Sequence, residues 1–487
     1  MGVTDLDREK QMIDIIQAIR DPQLFRPAFR DLATWSSWQT FLKAITGLPL
    51  SSEELPLFQQ CTGLNESPEK PPHEIFCIAG RRSGKSFISA LLAVYLSCFR
   101  DWGGVLAPGE RGYFAVIASD RRQARIIMDY IKAFLHASPL VEAMIDEEFK
   151  EEVSLKNKIV IDVKTASFRT VRGFTLIGAT MEELAFWRTE DAAEPDFEIY
   201  RAIIPALATT GGLLIGISTP YARRGLLWEK FSKHFGKPGE TLIWKAETLV
   251  MNPTIGPSII EQALLDDPQA AAAEWKAEFR ADIEQFISLD VLNVCVVPGR
   301  QFLPPKPNKT YVGFIDPSGG SNDSFACAIT HLEDEGRKVV VDQILERRPP
   351  FSPESVVQEF AAVLKQYRIY SVISDRYAGQ WVAESFRRAG VSVDYSELSA
   401  SELYQEILPL FNAGKIELPD NQRLINQIAS LERRVRVGGR DLITHPPGSH
   451  DDLANSIAGA IYFAQKGISG PLIWSVYSKW PPWPGGE

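Results

Sequence analysis

The sequence has few cysteines and no long uncharged apolar run. Its five cysteines stand far apart without a Cys-x-x-Cys pair, which argues against a zinc cluster or a disulfide framework. The best apolar run, from Phe87 to Phe99, is shorter than the roughly 18 residues that a membrane span requires. The first residues, from Met1 to Arg20, are charged and amphipathic, unlike a secretory signal. These absences predict an intracellular protein.

An excess of positive charge is also missing, since the formal net charge is −10. This value argues against a general nucleic-acid coat protein, although it is compatible with a local basic groove. It suits a protein that holds divalent cations with carboxylates. The remaining composition is globular, with 45% hydrophobic and 23% charged residues, and the length of 487 residues suggests two to three domains.

Strands and helices alternate after a polar, proline-bearing segment at residues 65–72. The pattern predicts strands at 74–79, 113–119, 158–163, 176–181 and 213–217, with helices at 86–99 and 123–135. Such alternation predicts a parallel sheet covered by helices, and hence an α/β fold.

A second α/β block begins after the proline-rich linker Pro304–Pro307. The pattern predicts strands at 311–315, 325–330, 338–345 and 370–374, with helices at 352–367 and 380–389. Between the blocks, Pro257–Phe286 is predicted to be a helical, acidic connector.

A candidate phosphate-binding loop lies between the first predicted strand and the following helix. Its residues are Gly80, Arg81, Arg82, Ser83, Gly84, Lys85 and Ser86. In such a loop, backbone N–H groups and the lysine hold phosphates, and the hydroxyl after the lysine binds Mg²⁺. The first glycine of the usual motif is displaced, because Ala79 stands in its position. The alternative is a Gly/Arg surface turn, which Gly-Lys-Ser after a strand disfavours.

A nucleotide site also needs a metal-binding acid and a base for the attacking water. Glu182 and Glu183 follow the strand predicted at 176–181 and fit these two roles, respectively. Asp162 is the rival metal acid, but no second acid adjoins it. Ser218-Thr219-Pro220 ends the strand predicted at 213–217 and is either a sensor of the γ-phosphate or an ordinary turn.

Acids also stand at element ends in the second block. They are Asp316 after the first strand, Asp375 after the fourth, and the pair Asp451 and Asp452 before an apolar helix. Carboxylates converging in this way can hold two Mg²⁺ ions for phosphodiester hydrolysis. Each acid alone is more simply explained as a turn or helix-cap residue. The sequence does not decide between Asp451 and Asp452, although the helix pattern favours Asp452.

Together these motifs resemble the large terminase subunit of tailed bacteriophages, from about Trp35 to Ala464. The resemblance rests on Gly80–Ser86, on Met181–Trp187, on Ser218–Pro220 and on His450–Ala454. It implies a RecA-like ATPase followed by an RNase H-like nuclease. The expected organisation is an N-terminal helical segment (1–72), an ATPase core (73–250), a connector (251–307), a nuclease (308–466) and a flexible Trp/Pro-rich tail (467–487).

The resemblance implies further roles and partners. Arg172 corresponds to an arginine that reaches a neighbouring subunit's ATP site, and Trp38 and Gln39 to an adenine-contacting element. Glu182 departs from the family's usual aspartate. The implied cofactors are ATP and Mg²⁺, with Mn²⁺ supporting nuclease activity. The implied partners are double-stranded DNA, a portal protein, a small terminase subunit, a procapsid and sibling copies in a ring of five, in the host cell cytoplasm. The alternatives are a helicase-like or remodelling ATPase and a DNA-binding assembly subunit with vestigial sites.

Overall fold

The computed structural model describes residues 13–68, 70–166, 173–188, 192–321, 323–375, 380–435, 441–446 and 449–467. These residues form two compact units, divided between residues 282 and 283, with residues 192 and 193 belonging to the second unit. Within these ranges, no helix is both long and apolar enough to cross a membrane. The predictions for Arg172 and for the tail from residue 468 onward lie outside the described residues.

The first unit is built on an eight-stranded sheet. Its strands are β1 (Glu74–Ala79), β2 (Gly112–Ala118), β3 (Ile145–Glu148), β4 (Glu152–Leu155), β5 (Ile159–Thr165), β6 (Thr175–Glu182), β7 (Leu213–Ser218) and β8 (Thr241–Ala246). The strand order is β3-β4-β5-β2-β6-β7-β1-β8. Strand β4 pairs antiparallel with β3 and β5. All neighbouring strands in the remaining series, β5-β2-β6-β7-β1-β8, pair in parallel.

Helices bury both faces of this sheet. The α-helices of this unit are α1 (Ile15–Arg20), α2 (Ser36–Thr46), α3 (Leu55–Thr62), α4 (Lys85–Phe99), α5 (Arg121–Leu135), α6 (Pro139–Glu142), α7 (Pro195–Leu207), α8 (Gly225–His234), α9 (Thr248–Met251), α10 (Pro257–Asp266) and α11 (Pro268–Lys276). Alternate residues of β1 point to opposite faces. Ile75 and Cys77 join the core that includes α4 and α5, whereas Phe76 and Ile78 join the core that includes α7 and α8.

The parallel strand order identifies the first unit as RecA-like. Strand β1, which leads into the glycine-rich segment, lies between β7 and β8, and β7 alone separates it from β6. The carboxyl ends of β1, β6 and β7 therefore lie at one edge of the sheet, where ligands of open α/β sheets bind. We call this unit the P-loop unit.

The second unit contains a six-stranded sheet of mixed direction. Its strands are β10 (Tyr311–Asp316), β11 (Phe325–Glu333), β12 (Lys338–Arg347), β13 (Ser371–Ser374), β14 (Ser392–Tyr395) and β15 (Ile416–Glu417). The order is β14-β13-β10-β11-β12-β15. Strands β10, β11 and β12 form an antiparallel meander, and β13 and β14 extend the sheet parallel to β10. This arrangement is RNase H-like, as the sequence predicts, and we call the unit the RNase H-like unit.

The remaining elements of this unit surround the sheet or form a small separate one. The helices are α12 (Leu289–Cys295), α13 (Pro353–Gln366), α14 (Gln380–Arg388), α15 (Ala400–Asn412), α16 (Gln422–Ser430) and α17 (Asp452–Gln465). The three-stranded sheet contains β9 (Ile283–Gln285), β16 (Glu432–Arg434) and β17 (Leu442–Thr444). Helix α17 packs on the central meander through side chains such as Leu453 and Ile457.

The segment between the two predicted blocks differs from the sequence prediction. Helices α10 and α11 are present, but the prediction of a helix through Phe286 is wrong, because β9 pairs there with β16. Residues up to 282 belong to the P-loop unit, where the Arg81 N–H donates to the Glu274 carbonyl oxygen at 2.5 Å. The segment therefore divides between the two units.

Candidate nucleotide and metal sites

The glycine-rich segment joins β1 to α4 in a tight loop. Gly84 has a φ of +97°, and a Cβ at this position would lie 2.9 Å from Cζ3 of Trp35. A Cβ at Gly80 would lie 2.2 Å from Oγ1 of Thr248. Both positions therefore require glycine, one for its backbone angle and both for the close approach of a neighbour. Gly80, the displaced first glycine of the motif, is thus the loop glycine at which a Cβ would come closest to a neighbouring atom.

Residues distant in the sequence anchor the backbone of this loop. The Trp38 indole Nε1 donates to the Ser83 carbonyl oxygen at 2.7 Å. Thr248 Oγ1 donates to the carbonyl of Arg81, and Asn252 Nδ2 donates to that of Arg82, both at 2.8 Å. These bonds hold three carbonyl groups of the loop, and the N–H groups of Gly80 and Arg81 donate to the carbonyl oxygens of Ala246 and Glu274, so both kinds of backbone group anchor the loop.

Lys85 is buried beneath the loop. Its ammonium donates to the carbonyl oxygens of Ala79 and Gly80, each at 3.1 Å, and to Oγ1 of Thr219 at 2.7 Å. Oε1 of Glu183 lies 3.3 Å from the same nitrogen. The lysine thus connects the ends of β1, β6 and β7, at the point where a phosphate-binding lysine is required.

Ser86 and Glu182 form the candidate Mg²⁺ site. Ser86 Oγ lies 3.3 Å from Oε2 of Glu182 and accepts a hydrogen bond from Nε2 of Gln123 at 2.9 Å. Burial, with a smaller contribution from Glu183, raises the pKa of Glu182 to about 8. A hydroxyl and a carboxylate at this separation are the oxygen donors that Mg²⁺ uses beside a nucleotide, so the residues fit that ion.

Glu183 begins a short 3₁₀ turn with a left-handed backbone, at a φ of +52°. Its Oε2 accepts from the Thr219 N–H at 3.0 Å and from the Ser218 hydroxyl at 3.2 Å. The predicted base and the predicted sensor motif are therefore hydrogen-bonded to each other. A non-glycine residue in this conformation costs about 1–3 kcal/mol and commonly marks a functional position.

The other predicted nucleotide residues have different surroundings. Asp162 lies on β5, with three strands between it and β1, and pairs with Lys164 at 2.5 Å. The side-chain amide of Gln39 is hydrogen-bonded at both ends. Its Oε1 accepts from the Arg20 guanidinium at 2.9 Å, and its Nε2 donates to the Leu32 carbonyl oxygen at 3.2 Å. Each end of the Gln39 amide keeps the capacity for one further hydrogen bond.

Two of the predicted nuclease acids meet at neighbouring strand ends. Asp316 ends β10, and Asp375 directly follows β13, which pairs parallel to β10 with Ile315 opposite Ser374. Asn455 Nδ2 donates to Oδ2 of Asp316 at 2.9 Å and lies 3.5 Å from Oδ2 of Asp375. Burial raises the pKa of Asp316 well above its usual range, and the nearby negative aspartates act in the same direction.

The other two acids stand at the start of α17. The buried Tyr404 hydroxyl donates to Oδ2 of Asp451 at 2.9 Å, and the Ser324 N–H donates to Oδ2 of Asp452 at 3.3 Å. Burial raises the pKa of Asp451, and burial together with Asp451 and Asp323 raises that of Asp452 to about 6. Asp451 occupies the N-cap position but makes no side-chain cap bond, so the simple capping explanation does not apply to it.

These carboxylates are close neighbours without forming a closed cation cage. Among the described residues, no group of three or more His, Cys, Asp or Glu side chains is gathered tightly enough to hold a metal ion. However, the donor set is all oxygen, and Oδ1 of Asn455, buried beside the acids, has no hydrogen-bond partner within the described ranges. Such a set fits Mg²⁺ or Mn²⁺.

Several residues of both sites were missed by sequence reasoning. They are Gln123 beside Ser86, Thr248 and Asn252 at the loop, and Tyr404 and Asn455 beside the acids. Only Asn455 carried a local signal, since it lies four residues after Asp451 and thus on the same helix face.

Comparisons with known proteins give structural similarity only. No protein-family model matches the chain, and no curated protein does. The large terminase of bacteriophage HK97 is similar at 16% identity and a TM-score of 0.39, covering 92% of this chain and 98% of that one. A large terminase from a thermophilic bacteriophage, in complex with ADP, matches at 12% identity and a TM-score of 0.34, covering 82% of this chain and 95% of that one.

A third solved structure matches about a third of the chain. It is the large terminase nuclease of the thermophilic phage G20c with bound magnesium, at 18% identity and a TM-score of 0.31, covering 36% of this chain and 96% of that one. At such scores the strand orders, and not these superpositions, establish the fold. Other solved structures to which this chain is similar include a second large terminase nuclease structure and a large terminase ATPase domain.

Proposed function

We propose that this chain is the large subunit of a phage terminase. In this proposal the P-loop unit hydrolyses ATP to translocate double-stranded DNA through a portal into a procapsid. The RNase H-like unit cuts the DNA concatemer in a metal-dependent reaction. The cofactors are ATP and Mg²⁺, and Mn²⁺ supports cutting.

The observation that carries the proposal is the presence of two different phosphate-chemistry sites in one chain. One combines Lys85, Ser86 and the pair Glu182 and Glu183 at the edge of a RecA-like sheet. The other gathers aspartates at the carboxyl ends of adjacent strands in an RNase H-like sheet. A motor that also cuts its substrate needs both.

In the P-loop unit, each residue has a distinct task. With nucleotide bound, Lys85 would exchange its present contacts with Thr219 and Glu183 for phosphate oxygens, and Ser86 and Glu182 would hold the Mg²⁺ ion. Glu183, once released by Lys85, orients the attacking water and accepts its proton. Because Glu183 is bonded to Ser218 and Thr219, this release is transmitted to the end of β7.

In the RNase H-like unit, Asp316, Asp375, Asp451 and Asp452 are the candidate ligands. Bound divalent cations would neutralise these acids and polarise the attacked phosphodiester. Asp316 and Asp375 are fixed relative to each other by strand pairing, whereas Asp451 and Asp452 are oriented by the start of α17. Nothing in the sequence suggests a base-reading helix, so cutting is proposed to be largely independent of DNA sequence.

The proposed assembly rests only on the resemblance to the large terminase family. It comprises a portal protein, a small terminase subunit and a ring of five copies in the host cytoplasm, with Arg172 completing the ATP site of a neighbouring copy. A helicase with two RecA-like domains is disfavoured by the strand order of the second unit.

Separation of the two activities tests the proposal in the purified full chain. Lys85→Ala should abolish Mg²⁺-dependent ATP turnover and leave Mn²⁺-dependent plasmid cutting intact, and Asp316→Asn should do the reverse. The matched controls are Lys237→Ala and Asp290→Asn, which change exposed residues of the same types. A wild-type chain that turns over no ATP with double-stranded DNA present would refute the motor and favour an assembly subunit with vestigial sites.

A further inference from the structure

Asn455 places a neutral amide among the acids of the RNase H-like unit. Its Nδ2 bridges the carboxylates of Asp316 and Asp375, at 2.9 Å and 3.5 Å. Only 5% of the residue is exposed, and its Oδ1 is buried without a hydrogen-bond partner in the part of the chain that the structure describes. A buried polar atom left unpaired destabilises the folded protein, so its retention calls for a reason.

The two ends of an amide differ in what they offer. The NH₂ group donates to carboxylates, whereas the carbonyl oxygen is a donor of the kind that Mg²⁺ and Mn²⁺ accept as a ligand. Rotation of the side-chain amide by half a turn exchanges the positions of Nδ2 and Oδ1. One side chain can therefore face the carboxylates with a hydrogen-bond donor or face a cation with an oxygen.

The start of α17 places Asn455 beside the acids. Asn455 lies three residues after Asp452 and four after Asp451, so all three lie near one another at the first turn of α17. Its backbone N–H donates to the Asp451 carbonyl at 2.7 Å, which fixes the start of the helix. A fifth carboxylate at this position would add repulsion to an already acidic site, whereas an amide adds an oxygen without charge.

We propose that Asn455 is a further residue of the metal site. Its NH₂ group holds Asp316 and Asp375 together in the cation-free protein, and its Oδ1 serves as a neutral oxygen ligand when a divalent cation is bound. This inference rests on the proposed nuclease function, because it assumes that the acids bind a cation.

Equilibrium Mn²⁺ binding tests the role without measuring cutting. The full chain, free of nucleotide, is titrated with Mn²⁺ while electron paramagnetic resonance measures the free ion. Asn455→Ala is expected to weaken binding about 10- to 100-fold, the usual effect of removing a supporting metal-site group. Asn455→Asp, which restores an oxygen, should bind Mn²⁺ at least as tightly as wild type. In EDTA it should unfold at a lower temperature, because like charges then face each other.

Control variants separate the possible failures. Asn426, also 5% exposed and in the same unit, is changed to Ala and to Asp and should leave Mn²⁺ affinity unchanged. Asp316→Asn should weaken binding; if it does not, the proposed metal site itself fails. If Asp316→Asn weakens binding but Asn455→Ala binds like wild type or more tightly, only the role of Asn455 is overturned. If the Asn455→Ala variant does not fold, the Asn455→Asp variant decides: weaker Mn²⁺ binding than in wild type would overturn the proposed role of Asn455.

Discussion

Replacing Glu182 with glutamine should stabilise the metal-free and nucleotide-free protein although it damages the ATP site. The side chain is fully buried at the end of β6, next to Glu183. Burial, followed by the charge of Glu183, raises the pKa of Glu182 from 4.5 to about 8. Glutamine keeps the shape of the side chain and removes the ionisable group that burial disfavours.

The magnitude follows from these two pKa values. Unfolding returns the carboxyl to water, and each pH unit between the two values is worth about 1.4 kcal/mol. Because the raised pKa belongs to an acid, its cost to stability is absent below the unfolded pKa and grows as the pH rises toward the folded one. The cost is below about 1 kcal/mol at pH 5 and about 3 kcal/mol at pH 7.

Urea unfolding in EDTA at pH 5 and pH 7 measures this difference. Fluorescence of the chain's eleven tryptophans, among them the buried Trp187 whose Nε1 donates to the Glu182 carbonyl at 2.8 Å, follows the unfolding. The free energy of unfolding of Glu182→Gln minus that of wild type should rise by about 2–3 kcal/mol between the two pH values. Glu261→Gln, at an exposed position of α10, should change stability by less than about 0.5 kcal/mol at either pH.

A pH-independent difference between Glu182→Gln and wild type would refute this reasoning, because the cost of burying the carboxyl would then be absent. The same variant should bind Mg²⁺ with ATP about 10- to 100-fold more weakly, since a neutral amide replaces a charged ligand. A variant that is more stable but less active would place Glu182 among the residues kept for function at the expense of stability.

Further substitutions test individual contacts. Trp38→Phe removes the bond to the Ser83 carbonyl and should raise the KM for ATP several-fold, as a buried acceptor left unpaired costs about 1–3 kcal/mol. Gly84→Ala should impair ATP turnover, measured by phosphate release, because the backbone is left-handed and Trp35 fills the space. Tyr404→Phe should reduce Mn²⁺-dependent plasmid cutting about 10-fold without changing ATP turnover. Asp452→Asn should abolish cutting more completely than Asp451→Asn, and the opposite order would reverse the ligand assignment.

Local sequence signals predicted the parts of the sites that are contiguous in the chain. Gly-Lys-Ser after an apolar strand indicated the loop, and the acids at strand ends indicated the sheet edges where they lie. The α/β alternation predicted a parallel sheet, but the strand order that brings β6 near β1 is known only from the structure. The predicted features depend on residue type and on a few neighbours, which a single sequence contains.

Contacts between distant segments were not predictable in the same way. Thr248 bonds to Arg81 across 167 residues, and Asn455 bonds to Asp316 across 139. No periodicity indicates which polar side chain will meet which partner once the chain has folded. The same limit explains β9, whose short sequence is a strand only because β16 lies beside it.

Asp451 and Asp452 differ in their hydrogen bonds, and this difference is a better basis for choosing between them than the helix pattern. The sequence favoured Asp452 from the position of an apolar stripe, but α17 is buried on nearly all sides, so no stripe exists to orient it. The contacts discriminate instead. The Tyr404 hydroxyl donates to one oxygen of Asp451 at 2.9 Å, whereas Asp452 receives only the longer bond from the Ser324 N–H, at 3.3 Å. Among the aspartates that raise the pKa of Asp316, Asp452 contributes most. We therefore propose Asp452 as the acid that shares a cation with Asp316, whereas the hydrogen bond from Tyr404 holds Asp451 in place.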